Sequence, residues 1–372
     1  MKKISFLINS MTFGGAQRVL TILCEELKQE YEIEVIFLEK EEFYELPQEV
    51  KKVYLSDFNG KESGLKKLLY IPLLAWKLKK YIQQNNIHLI QSHIYRANYV
   101  NVIAKLFGGK HKTQLVTAGR ISRYKELGII GKINLFLIKY LYQKADLLVL
   151  KSKGMQDDMQ KLFDFKVSQI VINNPYNIQY IENLMKEQVN FIFKKDKKYI
   201  ISVGRLIKLK RNNEIIEVLS KLDKNIELIF LGEGEEKNNL IELSKKLNLE
   251  NRVHFLGQVK NPYKYIVKSD VFVSCSESEG FPNVLVEAMI CETMVISSDC
   301  ISGPREILGN NEYGLLFEVG DKDTLFKHLN LVLNNEKIKN NYIKKAKKRS
   351  FDFSIKRIIE KYKRILDENS DK

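Results

Sequence analysis

Cysteine is scarce, with four in 372 residues (Cys24, Cys275, Cys291 and Cys300), at spacings that make neither a pair nor a zinc-ligand pattern. That scarcity excludes a disulfide framework and fits reduced thiols in a cytosolic protein. Histidines number five and show no ligand spacing. The one Asp-x-Asp, Asp321-Lys322-Asp323, precedes a helical pattern, where an N-cap explains it better than a magnesium site. No metal is therefore expected. No uninterrupted apolar stretch approaches the ~20 residues that a membrane span needs, which predicts a soluble protein or one lying on a membrane surface. The opening MKKISFLINS places two lysines before an apolar run of about six residues, which leads into a glycine turn and reads as a first strand rather than a signal peptide. Acidic residues are also in deficit, 46 against 61 lysines and arginines, for a formal net charge of +15. The excess calls for an anionic partner (nucleic acid, anionic lipid or a phosphorylated substrate), or reflects only solubility in a lysine-rich proteome.

What is present is ample for packed cores: 44% apolar and 10% aromatic residues, in a chain long enough for two domains. Short apolar strands alternate with amphipathic segments throughout. One series runs through Ile4–Ile8, Glu32–Leu38, Leu89–Ser92, Thr113–Thr117 and Leu147–Leu150. A second runs through Tyr199–Val203, Glu227–Leu231, Val253–Leu256, Val271–Ser274 and Met294–Ser297. This alternation predicts α/β architecture, with two Rossmann-like domains in tandem facing across a cleft. The stretch VINNPYNIQYIENLMKEQ, with its Asn-Pro turn chemistry, reads as the linker. The expected division is 1–175 as an N-terminal domain and 176–354 as a C-terminal one. Ligands of such sheets sit at the carboxyl ends of strands.

Four segments occupy those ends. Phe13-Gly14-Gly15-Ala16-Gln17-Arg18 follows the first strand and opens a helix. Its paired glycines suit backbone amides approaching an anion, and equally a tight turn; the segment lacks both the three-glycine dinucleotide fingerprint and the P-loop pattern. Ser202-Val203-Gly204-Arg205-Leu206, followed by Lys210, brings two cations to a strand end, where arginine forks diphosphate oxygens and lysine adds a point charge. A solvated basic loop is the plainer reading. Glu279-Gly280-Phe281-Pro282-Asn283-Val284-Leu285-Val286-Glu287 places Pro282 at the first position of a helix, with the amides of Phe281, Asn283 and Val284 facing an anion. Glu279 then faces the bound group and Glu287 reaches a ribose edge, unless the segment is only a capped core helix. Ser302-Gly303-Pro304-Arg305-Glu306-Ile307 either completes that pocket or punctuates the fold.

In this order the segments resemble family 4 of the retaining GT-B glycosyltransferases, over essentially the whole chain. SGPREIL resembles the subset that builds bacterial surface polysaccharides and lipid-linked oligosaccharides. The resemblance implies that Arg205 and Lys210 neutralise a leaving diphosphate and that the Gly15 amide touches its distal phosphate. It implies that Glu279 holds the transferred sugar and Glu287 the ribose. The tail helix, 355–372, would cross back to the N-terminal domain. The family's front-side mechanism retains anomeric configuration, the protein supplying charge stabilisation and positioning. One departure stands out. Where many members have a histidine, this chain has Thr117-Ala118-Gly119-Arg120, so Arg120, or His93 from Ser92-His93-Ile94-Tyr95-Arg96, would take its place.

Residues 65–81, LKKLLYIPLLAWKLKKY, read as a basic amphipathic helix broken at Pro72 with Trp76 at its edge, suited to an anionic membrane or to packing on the N-terminal sheet. Ile129–Tyr142 is a second candidate for such a surface. The absence of a metal pattern predicts a metal-independent enzyme without a cofactor, and the resemblance of SGPREIL implies a UDP-linked hexose or N-acetylhexosamine as its co-substrate. Its acceptor would be a lipid-linked glycan, and the enzyme would be peripheral on the inner face of the cell membrane without a nucleic-acid partner. A GT-B nucleotide-sugar 2-epimerase and a basic nucleic-acid-binding protein are the alternatives.

Overall fold

The computed structural model describes residues 1–12 and 14–368; Phe13 of the glycine segment and residues 369–372 of the expected tail helix lie outside the described residues. The chain divides into two compact units, Met1–Pro175 together with the segment from Lys356, and Tyr176–Ile355.

Unit 1 is built on seven parallel strands: β1 Lys2–Ile8, β2 Tyr31–Phe37, β3 Lys51–Tyr54, β4 Leu89–His93, β5 Lys112–Val116, β6 Leu147–Leu150 and β7 Ser168–Val171. Their order is β3-β2-β1-β4-β5-β6-β7. Its helices are α1 Gly15–Leu27, α2 Gly64–Leu69, α3 Ile71–Gln84, α4 Tyr95–Leu106, α5 Gly128–Leu141 and α6 Lys153–Leu162. The inner strands are buried on both faces, which is why they read as near-continuous apolar runs. Leu7, Ile90, Leu115 and Leu148 from the sheet pack with Leu74, Leu78, Val100 and Ile138 from the helices in one cluster.

Unit 2 has six parallel strands: β8 Lys198–Val203, β9 Ile226–Leu231, β10 Val253–Phe255, β11 Val271–Ser274, β12 Met294–Ser298 and β13 Leu315–Phe317. Their order is β10-β9-β8-β11-β12-β13. Around them lie α7 Ile178–Leu184, α8 Asn213–Leu219, α9 Lys237–Lys246, α10 Tyr263–Ile266, α11 Asn283–Ile290, α12 Pro304–Leu308, α13 Lys322–Asn334 and α14 Glu336–Ser350. The last helix, α15 Ile355–Glu368, docks on unit 1 through buried Ile358, Ile359, Tyr362, Ile365 and Leu366. Gln114 Nε2 of β5 donates to the Ile365 carbonyl at 2.6 Å, and Lys2 pairs with Asp367 at 3.3 Å. Burying each large aliphatic side chain of this stripe contributes about 1.5–3 kcal/mol.

The structure changes three details of the sequence reading. Strands β3, β7 and β13 were not expected; all are sheet edges and short, β3 and β7 are partly polar and so lack the apolar run that marks an inner strand, and β13 is buried and apolar but only three residues long. The expected linker is mostly element: Val171 ends β7 and Ile178–Leu184 forms α7, whose Ile178 and Ile181 join the unit 2 core. Pro282 is the N-cap of α11 in an extended conformation (φ −72°, ψ 95°) rather than its first residue. In both sheets the strand order reverses once, between β1 and β4 in unit 1 and between β8 and β11 in unit 2. Such reversals open the crevices where ligands bind.

Candidate active site

At the reversal in unit 2, Ser202, Val203, Gly204, Arg205, Leu206, Lys210, Asn212, Ser274, Cys275 and Ser276 line one concavity. Gly204 follows β8 with φ +150°, a conformation that only glycine adopts readily, and its amide donates to the Leu231 carbonyl at 2.9 Å. Lys210 ends a 3-10 turn, Lys208–Lys210, and its aliphatic stem passes the bare face of Gly204. Its Nζ donates to Glu279 Oε1 at 2.5 Å, both side chains being partly solvated. Arg205 is exposed, and among the described residues its guanidinium has no ion pair. A strand end thus holds one cation balanced by an exchangeable carboxylate and another open to solvent, a setting that attracts a polyanion.

Glu279 is held by its own backbone. Ser302 Oγ donates to the Glu279 carbonyl at 2.6 Å, and Ser278 bridges Ile301. The SGP turn is strained: Ser302 has φ +74° and Gly303 φ +94°. A Cβ at Gly303 would sit 2.4 Å from Pro282 Cδ and 3.1 Å from the Gly280 carbonyl oxygen, so the turn fits directly beneath Gly280-Phe281-Pro282. Phe281 is buried, Asn283 Oδ1 accepts from the Tyr176 hydroxyl at 2.6 Å, and Val284 is half-buried in the first turn. The Leu285 amide closes onto the Pro282 carbonyl at 3.1 Å. Glu287 lies buried one turn further, where the Tyr263 hydroxyl donates to its Oε1 at 3.3 Å.

In unit 1, Gly14 is the N-cap of α1 and Gly15 its first residue; no side chain caps this end and no acidic residue lies in its first turn. The opening of α1 is therefore positive. His93 ends β4 and is 1% exposed, edge-on to Phe6 at 5.9 Å, with no hydrogen-bond partner for Nε2. Burial, with Lys151 adding repulsion, pushes its pKa down to about 3, so the ring is neutral. Arg120 is mostly covered and pairs with the exposed Glu126 at 3.2 Å. Lys151, just past β6, is 5% exposed and donates to the Tyr362 hydroxyl of α15; burial alone brings its pKa down to about 7. Of the sequence-derived residues, Gly204, Arg205 and Lys210 line the concavity and Glu279 pairs with Lys210, while Gly14, Gly15, His93 and Arg120 belong to unit 1.

Comparison with known proteins agrees with this geometry. Residues 13–180 match the model of Glycosyltransferase Family 4 and residues 185–349 that of Glycosyl transferases group 1. A Campylobacter jejuni protein named N-acetylgalactosamine-N,N'-diacetylbacillosaminyl-diphospho-undecaprenol 4-alpha-N-acetylgalactosaminyltransferase is 36% identical, over 95% of this chain and 96% of its own. The chain is a family 4 glycosyltransferase. A second C. jejuni protein, GalNAc-alpha-(1->4)-GalNAc-alpha-(1->3)-diNAcBac-PP-undecaprenol alpha-1,4-N-acetyl-D-galactosaminyltransferase, is 28% identical to this glycosyltransferase and covers 99% of both chains. In fold it is similar to sucrose-phosphate synthase of Thermosynechococcus elongatus, at a TM-score of 0.84, 17% identity and 99% coverage of each chain. The two Rossmann-like units are those of a GT-B glycosyltransferase.

Four residues packed against the concavity and the α11 segment escaped the sequence reading. Gly232 and Gly234 follow β9, and a Cβ on either would sit 1.9 Å from the Gly204 carbonyl oxygen or 2.2 Å from that of Leu206. The Leu206 amide donates to the Glu233 carbonyl at 2.9 Å, so LGEGE shapes the Arg205 loop. Its signal was a second glycine pair at a strand end. Tyr176 and Tyr263 hydrogen-bond Asn283 and Glu287 at sequence distances that no motif spans. Asp321 caps α13, accepting from the Thr324 amide at 2.9 Å. Among the described residues no group of three His, Cys, Asp or Glu is placed to hold a metal ion.

Proposed function

We propose that this glycosyltransferase moves an N-acetylhexosamine from a UDP-sugar to a glycan carried on a polyprenyl diphosphate, with retention of configuration and without a metal ion. The observation that carries the reading is the Lys210–Glu279 pair beside Gly204 and exposed Arg205 at the reversal of the unit 2 sheet. The names of the two Campylobacter relatives, both α-linking N-acetylgalactosaminyltransferases acting on undecaprenyl-diphosphate glycans, support the sugar, the acceptor and the retention.

In this reading the donor diphosphate replaces Glu279 as the counter-ion of Lys210. Lys210 and Arg205 then neutralise the charge that builds on the phosphate as the glycosidic bond breaks, which makes a metal ion unnecessary. Glu279, released, accepts hydroxyls of the transferred sugar, and Glu287 those of the ribose. The opening of α11, from Gly280 to Val284, faces the diphosphate. Arg120 takes the place of the family histidine. His93 is sealed from ligands and keeps a packing part against Phe6.

We assign the acceptor's membrane contact to two apolar stripes of unit 1. Leu65, Leu69, Leu73 and Trp76 stand exposed along α2 and α3, and Ile129, Ile133, Phe136 and Tyr140 along one face of α5, where Ile129 is 78% exposed. Lys132 and Lys139 flank the second stripe. The lysines of 65–81 largely serve unit 1 itself: Lys67 pairs with Glu39 at 2.9 Å, Lys77 donates to the Leu55 carbonyl at 2.9 Å and Lys80 covers the Trp76 ring at 3.7 Å. Among the described residues no helix is long and apolar enough to cross a membrane. A peripheral place on the inner face of the cell membrane fits both stripes.

The purified chain is to be incubated with a panel of UDP-sugars, with and without undecaprenyl-diphosphate-linked glycan, and free UDP measured. Release that requires both one UDP-N-acetylhexosamine and the acceptor is expected, undiminished by a chelator. UDP release without acceptor, accompanied by epimerised sugar, would replace this reading with the epimerase.

A further inference from the structure

The chain passes between its units twice, at Pro175–Tyr176 and at Ile355–Lys356. Within unit 2 the two passages are stitched together. The Tyr176 amide donates to the Phe353 carbonyl and the Ile355 amide to the Tyr176 carbonyl, each at 3.0 Å, forming a parallel bridge between Tyr176 and Ser354. From these same two places side chains reach the loop that opens α11. The buried Tyr176 hydroxyl donates to Asn283 Oδ1 at 2.6 Å. The buried Phe353 ring stands edge-on to Phe281, centroids 5.5 Å apart at 66°. Arg349 lies over Phe353 at 5.0 Å and donates to the Glu306 carbonyl at 2.9 Å, which ties α12 into the same cluster.

Phe281 and Asn283 bracket Pro282, so the loop is held on both sides of its proline. A phenylalanine at 176 would fill the same space; what the tyrosine adds is one directed hydrogen bond, aimed at the residue that opens α11. We propose that Tyr176 and Phe353 are positioning residues for the donor loop, fixing Asn283 and Phe281 and so tying the diphosphate-facing start of α11 to the two passages of the chain. The loop then cannot shift without disturbing both passages. This rests on the donor reading given above for the same loop.

The test uses the full chain with UDP as the binding probe and a UDP-N-acetylhexosamine with lipid-linked acceptor for turnover. Tyr176→Phe is expected to weaken UDP binding and raise the donor KM about five- to tenfold, the scale of one buried hydrogen bond, with the acceptor KM unchanged. Phe353→Leu is expected to act in the same direction. The double variant Tyr176→Phe, Asn283→Ala is expected to bind UDP no worse than Asn283→Ala alone, since both changes cut one interaction. A merely structural role would lower kcat through lost folded enzyme and leave the donor KM alone, and that result overturns the proposal. So does unaltered UDP affinity in Tyr176→Phe. Failure of the unaltered chain to bind UDP would instead sink the donor reading, and this proposal with it.

Discussion

Lys210 in unit 2 and Lys151 in unit 1 both follow the carboxyl end of a parallel strand, and their surroundings are opposite. Lys210 is partly solvated and paired with Glu279 at 2.5 Å. Lys151 is sealed beneath α15 with the Tyr362 hydroxyl as partner, has no ion pair among the described residues, and lies near the neutral His93. Lys210 keeps a carboxylate counter-ion at a partly solvated strand end, which in the proposed function an incoming anion displaces. A lysine buried without a counter-ion gives up its charge instead, because desolvation disfavours the ammonium. Similar strand-end positions therefore yield a partly solvated, ion-paired lysine in one unit and a buried one without an ion pair among the described residues in the other.

The sharpest way to break this comparison is to remove Lys210. Lys210→Ala is expected to lower kcat about 100-fold or more at saturating donor, with circular dichroism and melting temperature near those of the unaltered chain. Near-normal turnover in Lys210→Ala and in Glu279→Ala would overturn the assignment of unit 2. Gly303→Ala comes next. Its new Cβ would displace Pro282 and would hold φ +94°, so kcat/KM is expected to fall at least about tenfold. Activity assays at matched folded fraction decide it.

The third prediction addresses Lys151. Its folded pKa of about 7 lies below its ordinary 10.5, so between these values the unfolded chain holds a proton that the folded chain lacks. Stability should therefore rise with pH across that window, the burial cost being full below pH 7. Lys151→Met should flatten the rise in melting temperature from pH 7 toward pH 10; an unchanged slope would place its source elsewhere. The smallest effect is expected at the cap of α13, where Asp321→Ala should cost about 1 kcal/mol in denaturant unfolding and leave transfer unaltered.

The residues of the unit 2 concavity were largely legible in the sequence as a strand-end cluster, because its parts are local. Gly204-Arg205 with Lys210, and Glu279 with Glu287, lie within single strand-loop-helix segments where residue type and spacing imply chemistry. The acceptor-side unit was less legible. His93 has the same local setting as a ligand-facing residue, at a strand end before a helix, yet neighbouring elements bury it. Lys151 gave no signal, since its state depends on a helix more than 200 residues further along. The edge strands were missed because β3 reads Lys-Lys-Val-Tyr, a pattern shaped by exposure rather than by burial.

By itself the sequence determined the alternation of strands and helices, the two parallel sheets and the glycine turns at their strand ends, since periodicity and glycine placement act over a few residues. Tertiary structure alone decided what surrounds each lysine: Lys210 is paired with Glu279 from a distant loop, and Lys151 is covered by the helix laid over it. It also decided how the Glu279 loop is held, by Ser302, Gly303, Tyr176 and Phe353 from three separate segments. Desolvation and directed hydrogen bonds depend on what stands within a few ångströms, and for these residues the deciding partners (Glu279, Tyr362, Ser302, Tyr176 and Phe353) are remote in the chain.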